Sequence, residues 1–260
     1  MSDWAVILGA SSGFGAATAI ELARAGINIA GVHLDRRATL PQVQEVIEEI
    51  QATGVEVEFF NRNAAKSETR QEVISRLQEL SGEDGRVKIL LHSLAFGVLK
   101  PVIATDTDEA LDQAQLELTL NVMASSLIFW AQDFLGAGLL KRGSQIFAMT
   151  SSGGHSQWPN YGAVSAAKAA LESYIRQLAV ELAPAGIAAN CIQAGVTDTA
   201  ALRKIPGSQG MLDLALSRNP HARLTEPPDV ARAIRRLGLT ESSWMTGNVI
   251  RVDGGEDITA

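Results

Sequence analysis

Tyr161 precedes Lys168 by seven residues, in the run Tyr161-Gly-Ala-Val-Ser-Ala-Ala-Lys168. The surrounding segment, Pro159 to Leu182, reads as one long helix. At about 100° and 1.5 Å per residue, seven steps nearly close two turns, so both side chains share a face about 10 Å apart along the axis. Such a pair can act together, the ammonium holding a cofactor while the phenol polarises a substrate. An isolated pair is more commonly a surface tyrosine and a solvated lysine, so the functional reading depends on the rest of the chain.

A second chemical feature stands near the N-terminus. Gly9-Ala-Ser-Ser-Gly13-Phe-Gly15 follows an apolar run and opens a segment of helical period. Glycine lets the backbone turn tightly and approach a pyrophosphate, and a helix start offers free N–H donors and a positive dipole. In that setting the loop reads as a dinucleotide site. Asp35 lies where an acid binds the ribose 2′-hydroxyl of NAD, yet Arg36 and Arg37 follow at once and suit the 2′-phosphate of NADP. Counted from Gly26, His33 ends the strand and Asp35 falls in the turn. The expectation leans to NADPH, with NADH not excluded.

These residues need elements to position them. Short apolar runs at Trp4–Gly9, Ile27–His33, Val55–Asn61, Ile89–Ser93, Ser144–Thr150, Ile187–Gln193 and Asn248–Val252 read as buried parallel strands. Helical patterns lie between them, at Gly13–Ala25, Pro41–Thr53, Ser67–Leu80, Asp108–Leu135, Pro159–Leu182 and Pro228–Leu237. Regular alternation of this kind predicts an α/β fold, a Rossmann-type doubly wound parallel sheet of about seven strands with helices on both faces. Gly26, Gly54 and Gly186 stand just past helix ends, where left-handed caps are wanted. Without repeats or a linker, residues 1–260 read as a single domain. Thr197 to Pro228 reads as a long irregular loop and a candidate substrate lid.

Composition excludes other classes. With 260 residues, 46% of them apolar, the chain can bury a sizeable core. A net charge of −7 argues against nucleic acid as a partner. The single cysteine, Cys191, excludes an intramolecular disulfide and fits a reducing compartment. The scattered histidines lack metal-ligand spacing, and no run reaches the ~20 apolar residues of a membrane span. The expectation is a soluble, cytoplasmic protein without metal.

The motifs together resemble the short-chain dehydrogenase/reductase superfamily over essentially the whole chain. The carriers are the Gly9–Gly15 spacing, Asn121 in a long helix, Lys168 within Ala-Ala-Lys-Ala-Ala-Leu-Glu, and the closing run Thr246-Gly-Asn-Val-Ile-Arg-Val-Asp-Gly-Gly255. Usual members place tyrosine one helical turn before the lysine, which is Val164 here. The Tyr-x6-Lys spacing instead looks like the enoyl-acyl-carrier-protein reductases, as do His92-Ser93-Leu94-Ala95 and the run Ala194–Thr199. Gly97-Val-Leu-Lys-Pro101 and Thr197-Asp-Thr-Ala-Ala-Leu202 resemble the NADPH-using bacterial form. One departure is Ser151, which stands where enoyl reductases carry a second aromatic and where carbonyl reductases keep their serine.

The resemblance implies Tyr161, Lys168, Ser151 and Asn121 as the catalytic set. For the cofactor it implies Gly9, Ser11, Ser12, Gly13, Phe14, Gly15, Asp35, Arg36, Arg37, Asn63, Ala64, Ser93, Leu94, Ala95, Lys168, Ala194, Gly195, Val196 and Thr199. The implied reaction is reduction of an enoyl thioester in fatty acid synthesis, with Tyr161 donating to the thioester oxygen as enolate charge develops. The alternatives are an ordinary carbonyl or 3-oxoacyl reductase and a catalytically silent dinucleotide sensor. Acyl carrier protein and a homotetrameric assembly are the implied partners.

Overall fold

The computed structural model describes residues 3–259. Seven strands form one sheet: β1 (Asp3–Leu8), β2 (Asn28–His33), β3 (Val57–Asn61), β4 (Arg86–His92), β5 (Gln145–Thr150), β6 (Ala188–Ala194) and β7 (Val249–Val252). All neighbours pair in parallel, in the order β3-β2-β1-β4-β5-β6-β7. The order reverses between β1 and β4, which opens a crevice at their carboxyl ends. The sequence expectation of a doubly wound α/β sheet therefore holds.

Two apolar layers sandwich the sheet. On one face, Val73 and Leu77 of α3 (Ser67–Ser81), Trp130 and Phe134 of α5 (Ser126–Gly136), and Leu171 and Ile175 of α6 (Gly162–Leu182) pack together. On the other, α1 (Gly13–Ala23), α2 (Leu40–Gln51) and α8 (Pro227–Gly238) contribute Leu22, Ile50 and Ile234. Burial on both faces explains why β4, β5 and β6 read as continuous apolar runs. Gly26, Gly54 and Gly186 take the expected left-handed conformation.

Four elements differ from expectation. The predicted helix Asp108–Leu135 is α4 (Gln113–Leu120), a π turn at Asn121–Ser125, and α5. Asp112 starts it late, because its side chain accepts from Gln115 N–H in a capping box. Helix α6 begins at Gly162, not Pro159: Asn160 sits at φ 63, and Tyr161 caps the helix at φ −101, ψ 2. The segment 197–228 contains α7 (Ser208–Arg218), which hid from pattern reading because Ala215 is its one buried residue. Strand β4 begins three residues early, at a charged pair that pattern reading assigns to loop.

That pair, Arg86 and Lys88, is buried yet satisfied. Lys88 Nζ donates to Gly143 O at 2.9 Å, Thr240 O at 2.8 Å and Glu241 Oε1 at 2.9 Å, while Arg86 pairs with Asp3 at 2.7 Å. Three acceptors match the three donors of an ammonium, so the ion is tolerated deep in the sheet. Lys88→Met should orphan the buried Gly143 carbonyl, strip Thr240 O and Glu241 of their partner, and cost about 2–4 kcal/mol. A lowered urea midpoint at unchanged m would report it; an unchanged midpoint would show that the charge contributes nothing.

Candidate active site

Four loops converge at the carboxyl end of the sheet. The first joins β1 to α1. Gly9 sits at φ 93, and a Cβ there would collide with the carbonyl oxygen of Ser93 at the exit of β4. A Cβ on Gly15 would strike the carbonyl of Gly9, so α1 starts hard against the strand end. Ser12 caps α1 in extended conformation without a side-chain bond to the first turn, leaving those N–H groups for an anion. The loop after β6 lies alongside, with Thr199 Cγ2 only 3.8 Å from where a Gly13 Cβ would stand.

Asp35 lies just beyond the end of β2. His33 Nδ1 lies 3.0 Å from its carboxylate and Thr39 Oγ1 donates at 2.7 Å. Burial pushes its carboxyl up, but hydrogen bonds from Ser11, Thr39 and His33 outweigh this and hold it below the usual carboxylate range. Arg36 and Arg37 beside it are exposed. Asn63 spends its amide oxygen on Ala65 N–H at 2.9 Å. Ala64 gives its carbonyl to Trp130 Nε1 at 2.8 Å, and the side chains of Phe14 and Leu94 pack into the core. Ser93 and Ala95 lie on the loop after β4, where Ala95 is exposed.

Lys168 and Tyr161 occupy the centre. Lys168 is buried on α6 and donates from Nζ to Met149 O at 2.7 Å, at the end of β5. Burial lowers its pKa to about 8, against smaller pulls from Cys191 and Glu172. Tyr161 leans on Gly153, where a Cβ would lie 2.6 Å from its ring. Burial raises the phenol, and the Ser151 hydroxyl offsets part of the rise. Ser151 Oγ is buried and makes no hydrogen bond of ordinary geometry. Val164 is 5% exposed, among core residues and 2.5 Å from a Cβ at Gly97.

Asn121 opens the π turn with its side chain exposed. Ser126 N–H reaches back to Asn121 O, and Ser126 Oγ donates to Val122 O at 2.9 Å. His92 Nε2 lies 2.9 Å from the same Oγ. Since that hydroxyl spends its proton on Val122, the imidazole donates from Nε2. Burial, then the charge of Lys168, pushes His92 down to about 3, so the ring is neutral.

Sequence reasoning passed over three neighbours of the site. Gly153 gives Tyr161 its seat. Trp158 Nε1 donates to Pro206 O at 3.3 Å, joining the β5–α6 loop to the 197–228 segment. Glu256 accepts from Val196 N–H. The one signal for them was position, directly beside recognised motifs.

A family model described as enoyl-(acyl carrier protein) reductase matches residues 9–256. The chain belongs to the short-chain dehydrogenase/reductase family. Among relatives of this dehydrogenase/reductase, cyclohexanol dehydrogenase of a Rhodococcus species is 29% identical, over 96% of this chain and 94% of its own. The 1-cyclohexenylcarbonyl-CoA reductase of Streptomyces collinus is 30% identical over 98% and 87%. The solved enoyl-[acyl-carrier-protein] reductase (NADH) of Aquifex aeolicus has the same fold, with a TM-score of 0.83 over 99% and 97% of the two chains at 24% identity. A short-chain dehydrogenase/reductase is an oxidoreductase that uses a nicotinamide dinucleotide on a small molecule. Among the described residues no helix is long and apolar enough to cross a membrane.

The buried neutral His92 sets a pH dependence. Its folded pKa of about 3 lies below the ordinary 6.5, so between those values the unfolded chain binds a proton that the folded one refuses. Stability should fall by about 1.4 kcal/mol per pH unit on acidification below 6.5. His92→Asn should flatten urea midpoints between pH 6.5 and 5; an unchanged slope would mean another group carries it.

Proposed function

We propose that this enzyme reduces the C=C bond of an α,β-unsaturated acyl thioester, with Tyr161 donating a hydrogen bond to the thioester oxygen. The observation that carries the reading is the state of the phenol. Val164 holds the position one turn before Lys168 and is sealed in the core, so it offers no hydroxyl. Tyr161, outside the helix, keeps its proton because burial raises its pKa, and the group that offsets the rise is Ser151, not Lys168. A neutral phenol suits an oxyanion donor, which must be stationary and protonated where negative charge develops.

The residues fit a dinucleotide: the uncapped start of α1, the glycine cradle and the Asp35 carboxylate at its far end all suit one. A bound reduced nicotinamide supplies the hydride. Lys168 would hold the nicotinamide ribose and add positive potential beside the acyl oxygen. Ser151 adds a second hydroxyl, and Asn121, exposed at the π turn, would be the proton-relay residue that the resemblance implies. Ser93 and Thr199 line the cofactor loops. The NADPH leaning rested on Arg36 and Arg37, but a carboxylate already gripped by Ser11, Thr39 and His33 would repel a 2′-phosphate, which supports NADH.

The 197–228 segment with α7 serves as the lid in this reading. Acyl carrier protein as the thioester carrier and a homotetramer complete the proposal. The exposed apolar residues Leu118, Phe129, Leu135 and Val180 on α4, α5 and α6 offer the helix faces for assembly.

Ser151 favours the second reading, a carbonyl reductase, and one assay separates the two. NADH and NADPH oxidation is followed with crotonyl thioesters and, in parallel, with 3-oxoacyl thioesters and simple ketones. Turnover of ketones without enoyl thioesters would overturn the proposal. Tyr161→Phe should lower kcat about 100-fold with dinucleotide affinity unchanged. Full activity in that variant would exclude Tyr161 as the donor.

A further inference from the structure

Beyond β7, Glu256 to Thr259, which include a short helical turn at Glu256–Ile258, touch three of the segments around the site. Both carboxylate oxygens of Glu256 accept from Val196 N–H, at 3.2 and 3.1 Å, in the loop after β6. Gly195 rests directly on that carboxylate: a Cβ there would lie 2.8 Å from Glu256 Oε2 and would overlap Thr225 Oγ1. The Asp257 carboxylate accepts from Gln193 Nε2 at 2.9 Å and pairs with Arg251 Nε at 3.1 Å. It also takes His155 Nε2 at 3.2 Å, from the loop that carries Ser151 and Gly153. Thr259 Oγ1 donates to Arg218 O at 2.7 Å, at the end of α7.

The two carboxylates of the turn sit in opposite surroundings: against the push of burial, the partners of Asp257 hold its carboxyl below the usual range, whereas Glu256 is raised. Burial pushes the Glu256 carboxyl up, the Val196 N–H pulls against that, and the charges of Asp253 and Asp257 push the same way as burial. A half-buried carboxylate beside two others persists where its hydrogen bond has something to fix. Glu256 grips the backbone at Val196, while Asp257 joins the end of β6, through Gln193, to the segment whose glycine seats Tyr161, through His155.

We propose that Glu256 and Asp257 are positioning residues for the reaction, Glu256 setting the cofactor loop after β6 and Asp257 setting the Tyr161-bearing loop after β5. This rests on the reading that those loops hold the dinucleotide and carry the donor phenol. Neither carboxylate reaches the reacting atoms. Each acts through the main chain or side chain that it holds, so each should affect a different kinetic parameter.

The test uses the full-length enzyme, with dinucleotide binding read by NADH fluorescence titration alongside steady-state kinetics and thermal melting. Glu256→Ala should weaken NADH binding about tenfold while kcat stays within about twofold, the effect of losing one charge-assisted hydrogen bond. Glu256→Gln, whose amide oxygen can still accept from Val196, should restore binding. Asp257→Ala should lower kcat about tenfold and weaken NADH binding less than Glu256→Ala does. Wild-type binding with Glu256→Ala equally tight overturns the inference alone. A common fall of binding, kcat and melting temperature in both alanine variants, without rescue by glutamine, marks a merely structural turn and overturns it too. If the wild-type chain binds neither NADH nor NADPH, the reading of the loops fails and takes the inference with it.

Discussion

Everything at the carboxyl end of this sheet depends on a space too small for a methyl group. The chain leaving β1, the first turn of α1 and the chain leaving β4 close on the same point, where Gly9 meets Ser93 and Gly15 meets Gly9. Any side chain there would push α1 away from the strand that feeds it. With glycine, the helix starts almost in contact with the sheet, and its unpaired N–H groups face the crevice created by the reversal of strand order. The geometry thus converts a backbone constraint into a local positive potential.

The two buried lysines show how differently one sheet can treat a cation. Lys88, 2% exposed near the amino end of β4, has a full set of acceptors and is fixed in place. Lys168, near the carboxyl end, has one strong acceptor in Met149 O, and burial lowers its affinity for a proton. Incomplete satisfaction leaves donors for a ligand, and the lowered pKa brings proton exchange nearer to neutrality. The contrast separates the two ions by what a buried charge lacks.

Much of this was legible in the sequence, and the failures have physical causes. Parallel strands buried on both faces declare themselves as apolar runs, and the glycine loop and Lys168 stand in distinctive settings. Charged strand residues such as Arg86 and Lys88 were not legible, because their partners Asp3 and Glu241 are remote in sequence. Helix α7 was hidden because it contributes little to the core. Tyr161 was placed inside the helix because composition cannot reveal that Asn160 adopts φ 63. The residue still stands at the mouth of α6, as its N-cap, so the role proposed for it rests on that position and not on two full helical turns. The contacts of Glu256 and Asp257 were invisible for a similar reason: their partners Val196, Gln193 and His155 lie 60 or more residues away in sequence.

The π turn between α4 and α5 has a consequence for the whole length of that helical pair. Val122, Met123 and Ala124 are consecutive and all buried, whereas regular α geometry would spread three neighbours over about 200° of the helix surface. Widening the turn gathers them on one side and leaves α5 one residue out of phase with α4. The apolar stripe is therefore continuous in space but offset in sequence, and the offset falls between exposed Asn121 and the Ser126 that His92 braces. The scaffold and the site share that extra residue, so removing it would rotate Trp130 and Phe134 as a block relative to the helix that precedes them.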